Sequence, residues 1–168
     1  MEQVNIVDEN NHVLYQSSKQ TAHEKGLLHR TIIAEVINSK GEWVLVKQAA
    51  DRQDARQYVS PVGGHIRAGE TEIAALKREA KEEMGLTRFI YKYVGKAIFN
   101  RKVLNRQENH YFILYEIYSD EEPKLNHESV SCKRFTAKEL KLAFLQKQKD
   151  FGAAFHFVAK TFYPYLLS

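Results

Sequence analysis

The chain has 168 residues, of which 43% are hydrophobic and 27% are charged, and its net charge is +4. This length predicts a single domain over residues 1–168 with a sizeable core, and the balanced composition argues against wholesale disorder. The small basic surplus suits an anionic small molecule and does not by itself indicate nucleic acid. The single cysteine, Cys132, excludes an intrachain disulfide and a cysteine-based zinc cage.

The apolar runs are far shorter than the ~18 residues of a membrane span, and the first residues lack the apolar region of a signal peptide. We therefore expect a cytoplasmic protein that is not bound to a membrane. In chain order, the residue patterns predict strands and helices that alternate irregularly. The strands are expected at 4–16 (a hairpin), 31–37, 43–46, 89–99 and 110–118, and the helices at 71–84, 137–146 and 151–167. This order predicts an α/β fold with a mixed central sheet and helices packed on it.

The first predicted helix separates its charges by face. Thr71 can cap its start, and Gly85 can end it in a left-handed turn. Glu79, Glu82 and Glu83 form a stripe beside the apolar side. Like charges at this spacing repel each other, so the stripe indicates a site for a hard divalent cation such as Mg²⁺, which prefers oxygen ligands. An ordinary solvated acidic face is the alternative, because such charge runs are common.

The residues before this helix add to the cation interpretation. Gly63 and Gly64 allow the backbone to approach a ligand closely. A loop that folds back over its own helix would bring Glu70 and Arg78 into an ion pair. The alternative is two independent surface charges.

Together these positions resemble the Nudix box: Gly, five residues, Glu, seven residues, Arg-Glu, an aliphatic, any residue, Glu-Glu, any residue, Gly, an aliphatic. The matching residues are Gly64, Glu70, Arg78, Glu79, Ala80, Glu82, Glu83, Gly85 and Leu86. Every fixed position matches, and only Ala80 is smaller than the usual aliphatic residue.

The resemblance implies a Nudix α/β/α sandwich and a hydrolase that cleaves a small-molecule diphosphate with Mg²⁺ or Mn²⁺. The substrate would usually be a nucleoside diphosphate linked to another group. The resemblance also divides the box residues by role. The catalytic residues would be Glu79, Glu82 and Glu83. The same three glutamates and the Gly64 carbonyl would be the metal ligands. The structural residues of the box would be Gly64, Glu70, Arg78 and Gly85.

The expected chemistry also needs a general base. Metal ions that bridge diphosphate oxygens offset their charge, and a coordinated water then loses its proton more easily to a carboxylate within reach. Glu82, Glu108 and Glu128 are open candidates for that base. Glu108, at the end of a polar stretch, is also a candidate metal ligand.

Before the box, the chain has the segments VNIVDENNHVLY (4–15), HEKGLLHR (23–30) and SPVGGH (60–65) in that order. With them, roughly residues 4–140 resemble the isopentenyl-diphosphate isomerase-like branch of the Nudix superfamily. Those isomerases have a second metal site of three histidines and two glutamates. The resemblance implies His23, His29 and His65 in such a site, with His110 where the second glutamate would be. Taken alone, His23 and His29 are more typical of capping or surface histidines.

The isomerase reaction moves protons on carbon with a cysteine and a glutamate, and Gly63 and His110 stand at their places. We therefore expect hydrolysis of a diphosphate bond, with isomerase activity and a non-catalytic nucleotide-binding module as alternatives. For the substrate, Tyr58, Phe99 and Tyr111 could stack a base or pack in the core. The aromatic stripe in 151–167 is a packing face or, alternatively, a homodimer face.

Overall fold

A computed structural model describes residues 1–167, and within that range nine strands form one mixed sheet accompanied by four α-helices. The strands are β1 (Gln3–Val7), β2 (Val13–Ser18), β3 (His29–Ile37), β4 (Trp43–Gln48), β5 (Tyr58–Val59), β6 (Val62–His65), β7 (Ile90–Val103), β8 (Arg106–Tyr118) and β9 (Ser129–Phe135). The helices are α1 (Lys19–Lys25), α2 (Glu72–Met84), α3 (Ala137–Gln146) and α4 (Ala153–Phe162), and 3₁₀ turns at Gln148–Asp150 and Pro164–Leu167 flank α4. None of these helices is long and apolar enough to cross a bilayer.

Strand β3 lies at the centre of the sheet. It pairs antiparallel with β1, β4 and β6, and parallel with β8. The parallel register begins at His29 opposite His110, and β6 brings His65 opposite Thr31. Segments far apart in the chain therefore meet at one end of β3.

Helices cover both faces of the sheet because the side chains of each central strand alternate between two cores. Ile32 of β3 belongs to the core that includes Leu76 of α2. Ile33, the next residue, belongs to the core that includes Phe155 of α4. Alternation with a period of two is the geometry of a strand buried on both sides. The predicted α/β/α sandwich is confirmed.

The helix ends follow the predicted capping chemistry. The Thr71 hydroxyl accepts a hydrogen bond from the Ala74 N–H, and Gly85 ends α2 with a φ of 66°. Helix α3 has the predicted bounds and starts with a capping box between Thr136 and Glu139. The last predicted helix is shorter than 151–167, because the chain leaves the helix at Phe162 and continues into a 3₁₀ turn.

Four elements were not predicted: α1, β5, β6 and β9. Helix α1 buries only Ala22 and His23, so it has no apolar stripe to reveal it. Strands β5 and β6 have two and four residues, and β9 is largely polar. Such segments become regular only because neighbouring strands supply their hydrogen bonds.

The loop between β6 and α2 is attached to the helix by the predicted Glu70–Arg78 ion pair, which is confirmed. Two parallel hydrogen bonds join the groups, from Arg78 Nε to Glu70 Oε2 at 2.8 Å and from Arg78 Nη2 to Glu70 Oε1 at 2.9 Å. Arg78 Nη2 also donates to the His65 carbonyl at 3.0 Å. The two side chains are only 15–16% exposed. Bidentate geometry and partial burial make this pair stronger than an exposed one.

Replacing Glu70 by Gln should lower the free energy of unfolding by about 1–3 kcal/mol at pH 7, because it removes a charge-assisted bidentate contact. The hydrogen bond from Arg78 lowers the pKa of Glu70. The stabilisation is therefore present above the pKa of the unfolded chain and is lost as the pH falls through the lower pKa of the folded state. Urea unfolding of both proteins should show a difference that is constant from pH 6 to pH 8 and shrinks below about pH 4.

The matched control is Glu122→Gln, since Glu122 pairs with Arg134 at 3.0 Å but is 81% exposed. That substitution should cost only about 0–1 kcal/mol. Equal losses for the two variants would contradict a special role of the Glu70 pair.

Candidate active site

A cavity of about 640 Å³ lies along β6, α2, the start of β8 and the segment 126–129. Volumes of this size are typical of small-molecule sites. Four of the glutamates that line it form what we call the acidic cluster: Glu79, Glu82, Glu83 and Glu128. The cavity is also lined by the basic residues Lys19, Arg52, Arg67, Arg78, Arg101 and Arg106.

Three members of the acidic cluster, Glu79, Glu82 and Glu83, lie on α2, and two of them approach the glycines of β6. The Gly63 N–H donates to Glu83 Oε2 at 2.7 Å. Gly64 lies so close to Glu79 that a Cβ at this position would come within 2.2 Å of Glu79 Oε1. A side chain at this position would therefore displace the Glu79 carboxylate from its place beside β6. The box thus sets the positions of Glu79 and Glu83 through direct backbone contact.

The carboxylates of the cluster crowd each other. Burial raises the pKa of Glu79, and it raises the pKa of Glu83 well above its ordinary value, with a further increase from the hydrogen bond to Glu128. The Gly63 N–H and the Arg78 guanidinium act in the opposite direction without cancelling the increase. A divalent cation would offset this repulsion. The donor atoms are carboxylate oxygens, so the cluster fits Mg²⁺ or Mn²⁺ in its chemistry.

The three glutamates of the predicted stripe differ in exposure. Glu79 is buried and receives a 2.5 Å contact from Arg78 Nη1. The Glu82 side chain is 52% exposed and lies 3.6 Å from the same nitrogen. Glu82 is therefore the carboxylate of the stripe with the greatest freedom to face a ligand in the cavity.

Glu128 was considered at first only as a possible base, and the structure brings it into the cluster. It contacts Glu83 and forms an ion pair with Arg52 at 2.9 Å. Because it comes from a loop before β9, its distance in sequence from the box hid this proximity. No local pattern around Glu128 predicts it.

Glu108, a predicted metal ligand, has other partners. Both of its oxygens bind arginines, Oε1 to Arg101 Nε at 2.9 Å and Oε2 to Arg106 Nη2 at 2.5 Å. Arg101 continues the network to Asp54 at 2.8 Å. The side chain is buried, and its pKa is lowered by these arginines against the opposing effect of burial. This arrangement does not favour Glu108 as a metal ligand.

His23 and His29 are not surface or capping residues, so that interpretation was wrong. They are 5% and 0% exposed and meet His65 and His110 in what we call the histidine cluster. Burial lowers the pKa of all four imidazoles, that of His23 to about 4. The predicted set of His23, His29 and His65 is thus brought together, and His110 is the member that sequence reasoning did not select.

The three aromatic candidates for base stacking pack in the core instead. Tyr58 contacts the Phe135 ring, and Phe99 packs between Phe112 and Phe157. The Tyr111 hydroxyl donates to the Glu9 carbonyl at 3.0 Å. The aromatic stripe near the end of the chain is a packing face, with Phe151, Phe155 and Tyr163 buried and Phe162 partly buried in the second core.

Comparison with known proteins agrees with the box. A family model described as the NUDIX domain matches residues 27–155. An isopentenyl-diphosphate Delta-isomerase 2 of Photorhabdus laumondii is 31% identical over 130 residues, which cover 75% of this chain and 72% of that protein. A nucleoside triphosphatase NudI of Klebsiella pneumoniae is 34% identical over 92 residues, which cover 54% of this chain and 64% of that protein.

A crystal structure of a protein from Deinococcus radiodurans superimposes with a TM-score of 0.75 at 20% identity and covers 96% of this chain and 99% of that one. At this identity the likeness concerns the fold alone. The family model matches most of the chain, and the chain contains the complete box. The chain belongs to the NUDIX family, in its isopentenyl-diphosphate isomerase-like branch, and its enzyme class is that of hydrolases acting on phosphorus-containing anhydrides.

Proposed function

We propose that the protein hydrolyses a diphosphate bond in a nucleoside diphosphate derivative or a related small molecule, with Mg²⁺ or Mn²⁺ as cofactor. The observation that carries this proposal is the acidic cluster, which lines a cavity of about 640 Å³ together with several basic side chains. A diphosphate needs both features, since its charge must be offset and its ends must be held.

Glu79, Glu82 and Glu83, with the Gly64 carbonyl, are the residues that would hold the metal. A divalent cation at such a site offsets phosphate charge and makes a bound water more acidic. The protein's own contribution is to hold the carboxylates in place. Glu83 is held by the Gly63 N–H, and Glu79 by Arg78 and by contact with Gly64.

Glu82 is our candidate for the group that accepts the proton of the attacking water. Its side chain is the most exposed of the stripe and faces the cavity. Glu79 and Glu83 already hold hydrogen bonds from Arg78 and Gly63, so their oxygens have less freedom to move. A base needs to come within hydrogen-bond reach of the water it activates.

Lys19 and Arg67 are our candidates for binding the substrate's phosphates. Both line the cavity, and their side chains are 39% and 49% exposed. Their ion-pair partner is Glu2, at 3.2 Å from Lys19 and 3.8 Å from Arg67. Because such exposed ion pairs are weak, Lys19 and Arg67 can leave Glu2 and bind a phosphate instead.

Two observations disfavour isomerase activity, although isomerases are among the relatives. Gly63 has no side chain to donate or accept a proton, and its N–H is used by Glu83. His110 is 6% exposed and lies in the histidine cluster. A non-catalytic binding module is disfavoured because binding alone does not require clustered, mutually repelling carboxylates.

The first test is a screen of nucleoside diphosphate derivatives with Mg²⁺, in which phosphate and nucleotide products are measured. Glu83→Gln and Glu82→Gln should each lower the turnover of the best substrate by about 10²–10⁴-fold, because each removes a charge at the reacting centre. Circular dichroism should be unchanged.

The matched control is Glu72→Gln, which lies on the same helix but outside the cavity lining and accepts a hydrogen bond from Tyr115. It should retain activity within a few-fold. Full turnover by both Glu82→Gln and Glu83→Gln would refute the proposed role of the acidic cluster.

The second test separates hydrolase from isomerase. Incubation with isopentenyl diphosphate and Mg²⁺ in deuterated water should give no deuterium in the recovered isoprenoid, because no proton donor and acceptor pair is present at Gly63 and His110. Mass spectrometry provides the measurement. Deuterium incorporation at an enzymatic rate would show that the chain isomerises its substrate by another route.

A further inference from the structure

Glu35 is a buried carboxyl that the proposed reaction does not use. It lies on β3 and is 0% exposed. Its neighbours Ala34 and Val36 belong to the α2 core, so its side chain points to the opposite face of the sheet, toward α4. No lysine or arginine within residues 1–167 forms an ion pair with it. Burial without a cation is costly for a carboxylate, so these surroundings favour the neutral acid.

The charged residue beside Glu35 in the sheet is a second glutamate. The parallel register of β3 and β8 places Glu116 opposite Glu35. Both oxygens of Glu116 accept hydrogen bonds from tyrosine hydroxyls, one from Tyr118 and the other, at 2.7 Å, from Tyr163. These donors stabilise a carboxylate on Glu116, so Glu35 is the member of the pair that keeps its proton. Burial raises the pKa of Glu35 to about 8 against the effect of its hydrogen bond with Ser60, and Glu116 adds to the increase.

The hydrogen bond between Glu35 and Ser60 locates that proton. Ser60 Oγ lies 2.6 Å from Glu35 Oε2, whereas the buried Glu35 Oε1 has no hydrogen-bond partner among the described residues. A proton on Oε1 would therefore lack an acceptor, and a proton on Oε2 reaches Ser60 Oγ. The neutral acid donates to Ser60, and the hydrogen of the Ser60 hydroxyl is left free to donate elsewhere.

Ser60 connects this buried acid to the cavity of the candidate active site. It lies between β5 and β6 and lines the cavity. Glu35 approaches it from the α4 side of the sheet, whereas the predicted metal ligands Glu79, Glu82 and Glu83 lie on α2. The Ser60 hydroxyl is therefore separate from the acidic cluster. It is available to the part of a substrate that extends beyond the phosphates.

We propose that Ser60 is a specificity-determining residue that donates a hydrogen bond to an oxo group on the base of the substrate, and that Glu35 is the positioning residue that orients its hydroxyl. An oxo group accepts a hydrogen bond, whereas an amino group at the same place presents hydrogens to the Ser60 hydrogen. The preferred substrate class is then a guanosine or uridine diphosphate derivative and not an adenosine one. This inference rests on the proposed function and names the substrate class of the same site.

The orientation of Ser60 reverses when Glu35 ionises. A carboxylate on Glu35 can only accept, so the Ser60 hydroxyl would then donate to it and turn its hydrogen away from the cavity. The titratable groups that act on Glu35 are Glu116 from β8 and Tyr163 from the segment after α4. The β4 residues of the α4 core, Trp43 and Leu45, carry no ionisable group. The preference for an oxo group should therefore weaken as the pH rises through the pKa of Glu35.

The first experiment tests the protonation of Glu35 without any ligand, by urea unfolding of the unmodified chain and of Glu35→Gln. The pKa of Glu35 is about 8 in the folded chain against an ordinary value of 4.5. Its contribution to stability is therefore fully present below about pH 4.5 and is lost as the pH rises to about 8. A glutamine cannot ionise, and its amide can donate to Ser60 as the acid does. The urea midpoint of the unmodified chain should fall relative to that of the variant between pH 5 and pH 8, and the gap should then stay constant.

The second experiment measures binding by calorimetry with Mg²⁺ and the α,β-methylene analogues of GDP and ADP, which cannot be hydrolysed between their phosphates. The unmodified chain should bind the GDP analogue at least about tenfold more tightly than the ADP analogue at pH 6.5. From pH 6.5 to pH 8.5 its Kd for the GDP analogue should rise about fourfold, because only about a quarter of Glu35 then keeps its proton. Glu35→Gln should bind as the unmodified chain at pH 6.5 and show no such rise.

Ser60→Ala should lose the preference for the GDP analogue at both pH values. The control Ser131→Ala, at an exposed serine of β9, should bind as the unmodified chain. The proposal is overturned if the unmodified chain binds neither analogue or both equally, if Ser60→Ala keeps the preference, or if the urea midpoints of the unmodified chain and Glu35→Gln change in parallel with pH. Turnover that depends on Glu82 and Glu83 without a base preference would leave the proposed hydrolase intact and refute only this inference. The measurements on the unmodified chain decide the question even if a variant does not fold.

Discussion

The geometry of the whole site depends on the guanidinium of Arg78. It binds Glu70 through two hydrogen bonds, the His65 carbonyl through a third, and Glu79 through a fourth. One planar group thus fixes the loop, the helix and the end of β6 relative to each other. The hydrogen bonding of Arg78 to Glu70 is the largest of the effects that raise the pKa of Arg78, so the group stays charged at any accessible pH. A lysine could not replace it, since only the guanidinium fork presents donors in so many directions.

Because Arg78 binds the backbone of His65, it also connects two sites of opposite chemistry. The side chain of His65 belongs to the histidine cluster, and its neighbour Gly64 contacts Glu79 of the acidic cluster. The acidic cluster offers oxygens and negative charge to a hard cation and a diphosphate. The histidine cluster consists of four closely packed imidazoles, and burial lowers the pKa of each of them. The short strand β6 therefore lies between the two clusters and contributes residues to the contacts of both.

The sheet supplies the rigidity that both clusters need. Central strands such as β3 are buried on both faces, and the α2 core and the α4 core hold the sheet from opposite sides. Helix α2 carries its apolar face into one core and its acidic side toward the cavity. Crowded carboxylates destabilise a helix on their own, so the burial of residues such as Leu76 and Met84 must offset that cost.

The sequence by itself determined the box and its geometry. Gly64, Glu70, Arg78 and Glu79 lie in one continuous strand–loop–helix segment, where local capping, glycine freedom and helical periodicity decide which groups meet. The same local rules predicted the caps of α2 and α3 and the α/β class. Short-range physics suffices for a pair such as Glu70 and Arg78, which are only eight positions apart.

Only the tertiary structure decided the membership of the two clusters. The parallel pairing of β3 with β8 brings His29 beside His110, and the packing of α1 against β8 brings His23 to His110, 87 positions away. Glu128 reaches Glu83 from a loop before a polar strand, and Glu108 turns to Arg101 and Arg106 instead of the acidic cluster. Hydrophobic patterning cannot predict such contacts, because the register between distant strands depends on how all the strands and both cores pack together.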